Sequence, residues 1–297
     1  MTIHIPALQN GASVGQGSFM QHRLVKLLGP MRPWLMGVLN VTPDSFTDGG
    51  RYLAADVAIE HGRRLLSEGA HLLDIGGEST APGSRPLTCD EELARIEPVV
   101  RLLAHEAVLS IDTYHSVTAM RCLELGARVI NDVSALRADP AMVDVVRDLG
   151  AVLVMMYAKD GPLPHATDRP VAYQDVVREV GDWLSRRVDV ALGQGLAWDQ
   201  IVLDPGMGRF VSLDPADSWE LLARFDELVA RFRPIPLLIG SSRKGFFGIP
   251  LAERDPLSQY TSVMATHKGA TMIRTHDIRM AAQFVDAAAK MRLPLAD

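Results

Sequence analysis

The sequence predicts an α/β fold, a single-domain (β/α)8 barrel of the TIM type with an N-terminal extension, and three observations predict it. Eight short runs rich in Val, Ile and Leu recur along the chain. Each is followed by a polar or Gly-rich stretch and then by a longer amphipathic segment. No G-x-G-x-x-G fingerprint follows the first run, which disfavours an open doubly wound sheet. Strands that alternate with helices pair in parallel, because each helix returns the chain to the same end of the sheet. Eight such units close a barrel of roughly 250 residues. Residues 1–30 form the extension, expected either to lack order or to cover the lower end of the barrel, and residues 31–297 form the barrel domain.

The elements follow in order. WLMGVLN (34–40) reads as the first strand, ends on Asn40 and precedes a helix over 54–68. HLLDI (71–75) carries Asp74 at its end, with Glu78 beyond, and leads to a helix over 90–104. VLSI (108–111) runs into Asp112 and a helix over 115–124. RVIN (128–131) ends on Asn131 with Asp132 next, before a helix over 140–148. AVLVM (151–155) ends on Met155, with Met156 beside it, before a helix over 172–192. QIVLD (200–204) ends on Asp204, before a helix over 215–230. PLLIG (236–240) precedes Ser241, Ser242, Arg243 and Lys244 and a helix over 256–268. ATMIR (270–274) ends on Arg274, with His276 and Asp277 before a last helix over 277–291.

In a barrel the loops that follow the strands share one face, so these scattered polar residues converge on one rim. They divide into two sets. Asp112, Asn131 and Asp204 offer acceptors and an amide, which suit a flat heterocycle with N–H donors on its edge. Lys244, Arg274 and His276 offer donors and positive charge, which suit phosphate oxygens. Lys244 stands out because the chain has only five lysines. Taken alone, each residue has a plainer reading: Asp112 before Thr113, or Asp277 opening the last helix, serves equally as a helix cap or turn residue. His61, His71 and His105 read as structural, Met155 and Met156 as core or pocket lining, and Cys89 and Cys122 as inert. Joint placement is what favours a site.

Composition excludes several classes. With 30 Lys and Arg against 36 Asp and Glu, the net charge is −6, which argues against a nucleic-acid or anionic-membrane binder. Hydrophobic residues at 47% and charged residues at 22% are ordinary for a folded globular chain. No apolar run reaches the ~18 residues of a membrane helix, and residues 1–20 show no signal-peptide pattern, so a cytoplasmic protein is expected. Two cysteines without metal spacing fit a reducing compartment.

Seven segments carry a resemblance: GVLNVTPDSFTDGG (37–50), DIGGEST (74–80), SIDT (110–113), INDV (130–133), LDPGMG (203–208), SSRKGFFG (241–248) and RTHD (274–277). In order and spacing they resemble the motifs of the dihydropteroate synthase family, over residues 34–291. The resemblance implies a (β/α)8 barrel that joins 6-hydroxymethyl-7,8-dihydropterin diphosphate to p-aminobenzoate in folate biosynthesis, releases diphosphate and uses Mg2+. It implies that Asp112, Asn131, Asp204 and Lys244 hold the pterin, with Lys244, Asp112 and Asp204 as the catalytic set. Asn40, as metal ligand, together with Arg274 and His276 would bind the diphosphate and its magnesium. Thr80 and Ser242 would border the same cleft, and Met155 would face substrate. A homodimer through the later helices is implied too, where AAQFVDAAAK (281–290) is rich in small apolar residues. The two long loops after strands one and two look like covers that exclude water.

The chain departs from the family pattern on one side. Ala81 stands where the family usually has Arg, Gly245 where it has Ser, and Arg209 where it has an aromatic, with Phe210 one position on. A Met-Met pair followed by YAKDG replaces the usual Met-His after the fifth strand. These changes cluster near the second substrate. The main reading is therefore an active synthase with a remodelled p-aminobenzoate pocket, in which Arg85 or Arg209 supplies the lost cation and sulfonamides bind less well. The alternative is a paralogue that binds the pterin diphosphate but uses another acceptor or none. A pterin-dependent methyltransferase is disfavoured because NVTPDSF and SSRK belong to diphosphate chemistry, and a non-catalytic scaffold would tolerate the loss of Lys244 or Arg274, both present.

Overall fold

Eight parallel strands follow one another around a ring: β1 (Trp34–Asn40), β2 (Leu72–Gly76), β3 (Val108–Asp112), β4 (Val129–Asp132), β5 (Val152–Met156), β6 (Ile201–Asp204), β7 (Leu238–Ile239) and β8 (Met272–Thr275). The computed structural model describes residues 19–30, 33–42, 50–78, 84–161 and 167–291, and of 50–54 the backbone only. Each strand pairs with its chain neighbour and β1 pairs with β8. Between β6 and β7 there is only the single bridge Leu203–Leu237. β7 is short where 236–240 predicts five residues: Pro236 has no N–H to give a ladder, though its carbonyl accepts from Leu203 N at 3.0 Å.

The helices lie outside the ring: α2 (Gly50–Ser67), α3 (Cys89–Leu103), α4 (Ser116–Glu124), α5 (Met142–Asp148), α6 (Val176–Gly193), α7 (Pro215–Ala223), α8 (Phe225–Phe232), α9 (Arg254–His267) and α10 (Ile278–Lys290). Local sequence sets their starts. Thr88 and Glu91 form a reciprocal capping box on α3, and Asp277 caps α10 by accepting from Met280 N at 2.8 Å. Asp277 is thus the cap its sequence position allows. The single helix expected over 215–230 breaks at Arg224 into α7 and α8.

Side-chain alternation divides each strand. One set (Leu35, Leu39, Leu73, Ile75, Leu109, Ile111, Ile130, Leu153, Leu203, Ile239, Ile273) packs outward against the helices. The other points into the ring, and its lower half is apolar: Trp34, Met36, Leu72, Val129, Val152, Val154, Val202, Leu238 and Met272. Sequence periodicity misses α1 (Arg23–Leu28), six residues that close this lower end with Leu24 and Val25. His22 caps α1 by accepting from Leu24 N on Nδ1, which leaves Nε2–H to donate to Ile201 O at 2.9 Å. Burial, against the pull of the Ile201 bond, pushes the His22 pKa down to about 4, so the ring is neutral. Part of the N-terminal segment therefore covers the barrel.

Candidate active site

The upper half of the ring interior is polar, and a buried carboxylate organises it. Asp74, fully buried on β2, accepts from Ser110 Oγ at 2.6 Å, Asn131 Nδ2 at 2.9 Å and Arg274 Nε at 2.6 Å. Arg274 also donates from Nη2 to Asp112 Oδ2 at 2.7 Å. Register places Asp112 directly beside Asn131. Asp74 thereby fixes the amide of Asn131 with its oxygen directed away from the carboxylate. Its role is absent from the predicted site set. The available signal is a charge inside the apolar run LLDIG, which has to be partnered when buried.

Once these bonds are made, the remaining groups match a donor-rich ring. Asp112 Oδ1, Asn131 Oδ1 and Asp204 Oδ2 accept from no described residue, while Asp204 Oδ1 accepts from Gly206 N at 2.7 Å. Gly206 has φ +71°, and a Cβ there would sit 2.5 Å from Tyr157 O, so this turn requires glycine. The Lys244 ammonium makes no hydrogen bond to the described residues; its Nζ lies 4.7 Å from the Phe210 ring centroid. Phe210 thus supplies an aromatic one position after the one the family pattern expects.

Burial lifts Asp204 to about 6, with Gly206 N–H, Lys244 and Arg274 pulling the other way. Burial also raises Asp112 despite Arg274, and Asp74 adds to the rise. Lys244 is lowered to about 8 by burial and by Arg274, against the attraction of Asp204 and Asp112. His276 is pressed down to about 3 by burial and by Arg274, Arg243 and Lys244. It is therefore neutral at physiological pH, which corrects the expectation of positive charge there. Ser242 Oγ accepts from His276 N and gives its own proton to Nδ1 at 2.9 Å, which leaves the ring proton on Nε2.

A cavity of about 760 Å3 opens over this floor. Of the predicted residues, Asn40, Asp112, Lys244, Arg274 and His276 line it. Asn131, Asp204 and Ser242 do not line it, and they sit 3%, 6% and 7% exposed beside it. Thr80 and Ala81 lie outside the described residues, as does most of both loops expected to act as covers. Met155 is a correction: strand alternation turns it outward into the core between ring and helices. Met156 faces the site side instead, packed with Phe210, Val133 and Ala158. Arg85 pairs with Glu91 and is not among the residues that line the cavity. Arg209 lines the cavity and pairs with Asp168. Cys122 is buried with its thiol pushed up to about 12, as expected of an inert cysteine. His71 Nδ1 accepts from Leu35 N, a structural contact.

Fold and rim together define a (β/α)8 barrel whose mouth sets acceptors on an acidic floor beside a wall of basic groups, a set that can take a donor-rich ring and an anion. A family model described as "Pterin binding enzyme" matches residues 36–276. The chain is 41% identical over 256 residues to a dihydropteroate synthase of Mycobacterium leprae, covering 82% of this chain and 88% of that one. It resembles the Xanthomonas albilineans dihydropteroate synthase solved with 4-aminobenzoic acid, with a TM-score of 0.80, 37% identity and coverage of 89% and 94% of the two chains. A structure of the Xanthomonas enzyme with 7,8-dihydropteroate gives a TM-score of 0.77 at 34% identity, covering 89% and 95%. The chain belongs to the dihydropteroate synthase family of pterin-binding transferases.

Proposed function

We propose that this chain condenses 6-hydroxymethyl-7,8-dihydropterin diphosphate with p-aminobenzoate to give 7,8-dihydropteroate and diphosphate, with the following division of labour. The observation that carries it is a set of acceptors on Asp112, Asn131 and Asp204 that no described residue occupies, beside a Lys244 ammonium with no hydrogen bond among the described residues. The acceptors take the donor edge of the pterin; Lys244 donates to its carbonyl side. As the C–O bond to the diphosphate lengthens, positive charge grows on the pterin methylene, and the acidic floor stabilises it. Negative charge grows on the leaving group, where Arg274 and the neutral Nε2–H of His276 donate. The amine of the acceptor then attacks the methylene carbon, and the amine proton leaves to solvent.

Mg2+ is proposed as cofactor on the chemistry of the donor set. Among the described residues no group of three His, Cys, Asp or Glu could cage an ion, and Asn40 offers one exposed neutral oxygen on the cavity wall. That fits an ion that arrives on the diphosphate with its own waters. When bound there, Mg2+ supplies positive charge to the departing oxygens. Asn40 would hold it.

The acceptor side supports reduced sulfonamide sensitivity: Gly245 has no side chain to offer a carboxylate or sulfonamide, and Arg209 replaces an aromatic on the lining. The same two residues favour a second reading, a different aromatic amine as acceptor. One assay separates them. Pterin diphosphate, p-aminobenzoate and Mg2+ should yield equal diphosphate and pteroate, whereas diphosphate without pteroate selects the second reading. Sulfonamide inhibition equal to that of a family member with Ser at this position would remove the resistance proposal. A homodimer is supported by the exposed Leu257, Tyr260 and Met264, which share one face of α9. A cytoplasmic setting is supported by the two free cysteines, and no described helix is long and apolar enough to cross a membrane.

A further inference from the structure

The loop that carries Lys244 sends four consecutive side chains in four directions. Ser241 Oγ turns into α9, where it meets Thr261 Oγ1 at 3.1 Å and Ser262 Oγ at 2.9 Å. Ser242 bonds His276, Arg243 turns to Asp255, and Lys244 enters the cavity. The reversal falls on Arg243, whose φ of +58° is left-handed, a conformation that side chains other than glycine adopt only when their surroundings enforce it.

The enforcing contacts all come from the first turns of α9. Arg243 N donates to Ser258 Oγ at 3.0 Å, and Ser258 directs its own proton to Arg254 O at 2.7 Å, so a lone pair is aimed at the strained N–H. The Arg243 guanidinium forks onto both oxygens of Asp255 at 2.9 and 3.0 Å. Arg254 Nη1 donates to Arg243 O at 3.1 Å. Side chain, amide and carbonyl of one residue are thus each held by the same helix.

We propose that the first turns of α9 act as a clamp that sets Lys244: Ser258 and Asp255 are positioning residues that hold Arg243 in the left-handed conformation and so fix where the next side chain points. The proposal rests on the assignment of Lys244 to the pterin. Arg243→Ala and Arg243→Gly test it, because both remove the guanidinium and only glycine adopts this φ freely. The glycine variant should retain kcat/KM for pterin diphosphate about fivefold or more above the alanine variant, with pterin diphosphate Kd from calorimetry following the same order. Ser258→Ala should lower kcat/KM about tenfold with Arg243 present and less than about threefold when combined with Arg243→Gly, with the thermal midpoint little changed. An alanine variant equal to or better than the glycine variant, or the same Ser258→Ala loss in both backgrounds, would overturn the clamp. Lys244→Ala run alongside separates the two claims: a loss under twofold removes the lysine assignment, whereas a large loss with Arg243→Ala and Arg243→Gly equal to each other removes the clamp alone.

Discussion

Two layers of the same barrel interior differ in almost everything but their backbone. Leu72, Val129, Val202 and Met272 lie in the lower layer, and two residues further along the same strands stand Asp74, Asn131, Asp204 and Arg274. The lower layer is sealed by α1 and makes the ring stable. The upper layer holds buried charge with acceptors and an ammonium that make no hydrogen bond among the described residues, an arrangement that stability alone disfavours. One pleat separates the part that folds the protein from the part that acts.

Substitutions should therefore separate stability from activity by layer. The largest effect is expected from Trp34→Ala, which removes a fully buried indole from the lower layer: about 3 to 5 kcal/mol of unfolding free energy, read by urea titration. Its folded fraction should keep kcat/KM near that of the parent, and a large loss there would erase the division. In the upper layer Lys244→Ala should lower kcat/KM about 10- to 150-fold, as for loss of a charged hydrogen-bond donor, while the thermal midpoint holds or rises. A fall in midpoint would make Lys244 part of the stabilising framework. Asp204→Asn should weaken pterin diphosphate binding with the same stability signature, and parental affinity would break its assignment.

The layers should also answer acid in opposite directions. His22 is neutral in the fold with its pKa down at about 4, so the unfolded chain binds the extra proton between about pH 6.5 and 4. Its contribution is complete above that window and falls as pH drops through it, by up to about 1.4 kcal/mol per pH unit. Asp204, lifted to about 6, has the reverse sign: the folded state binds the proton, and stability falls as pH rises from the ordinary carboxylate range through 6. The stability gap between the parent and His22→Gln should shrink as pH falls from 6.5 to 4; a gap that stays constant would mean the ring is not buried neutral. The smallest expected effect is Arg85→Ala, whose exposed pair with Glu91 should leave kcat/KM within about twofold. Arg209→Ala, on the cavity lining, should raise the acceptor KM instead.

Legibility follows the range of the interactions. All eight strands can be read from hydrophobic runs, since each buries its own residues on both faces. Asp112, Asn131, Asp204 and Lys244 can be placed on one rim because barrel topology alone puts strand ends together. What cannot be read is pairing at a distance. Asp74 meets partners 36, 57 and 200 positions away, so its position in the sequence shows a charge and not a hub. Met155 and Met156 differ only in the phase of a five-residue strand, a one-step ambiguity that inverts facing. α1 is too short to announce itself by period, and its helix is made worthwhile by the barrel end it covers. The charge state of His276 depends on its burial and on three cations that the fold gathers around it.

The near-open join between β6 and β7 has a mechanical meaning. Seven strand pairs are laced by ladders, and this one by a single bridge, so it is the line around the circumference that the fewest backbone ties hold. Asp204 stands on one bank of that line and Lys244 follows the other. The slot between these two groups is therefore spanned by the fewest backbone hydrogen bonds of any join in the ring.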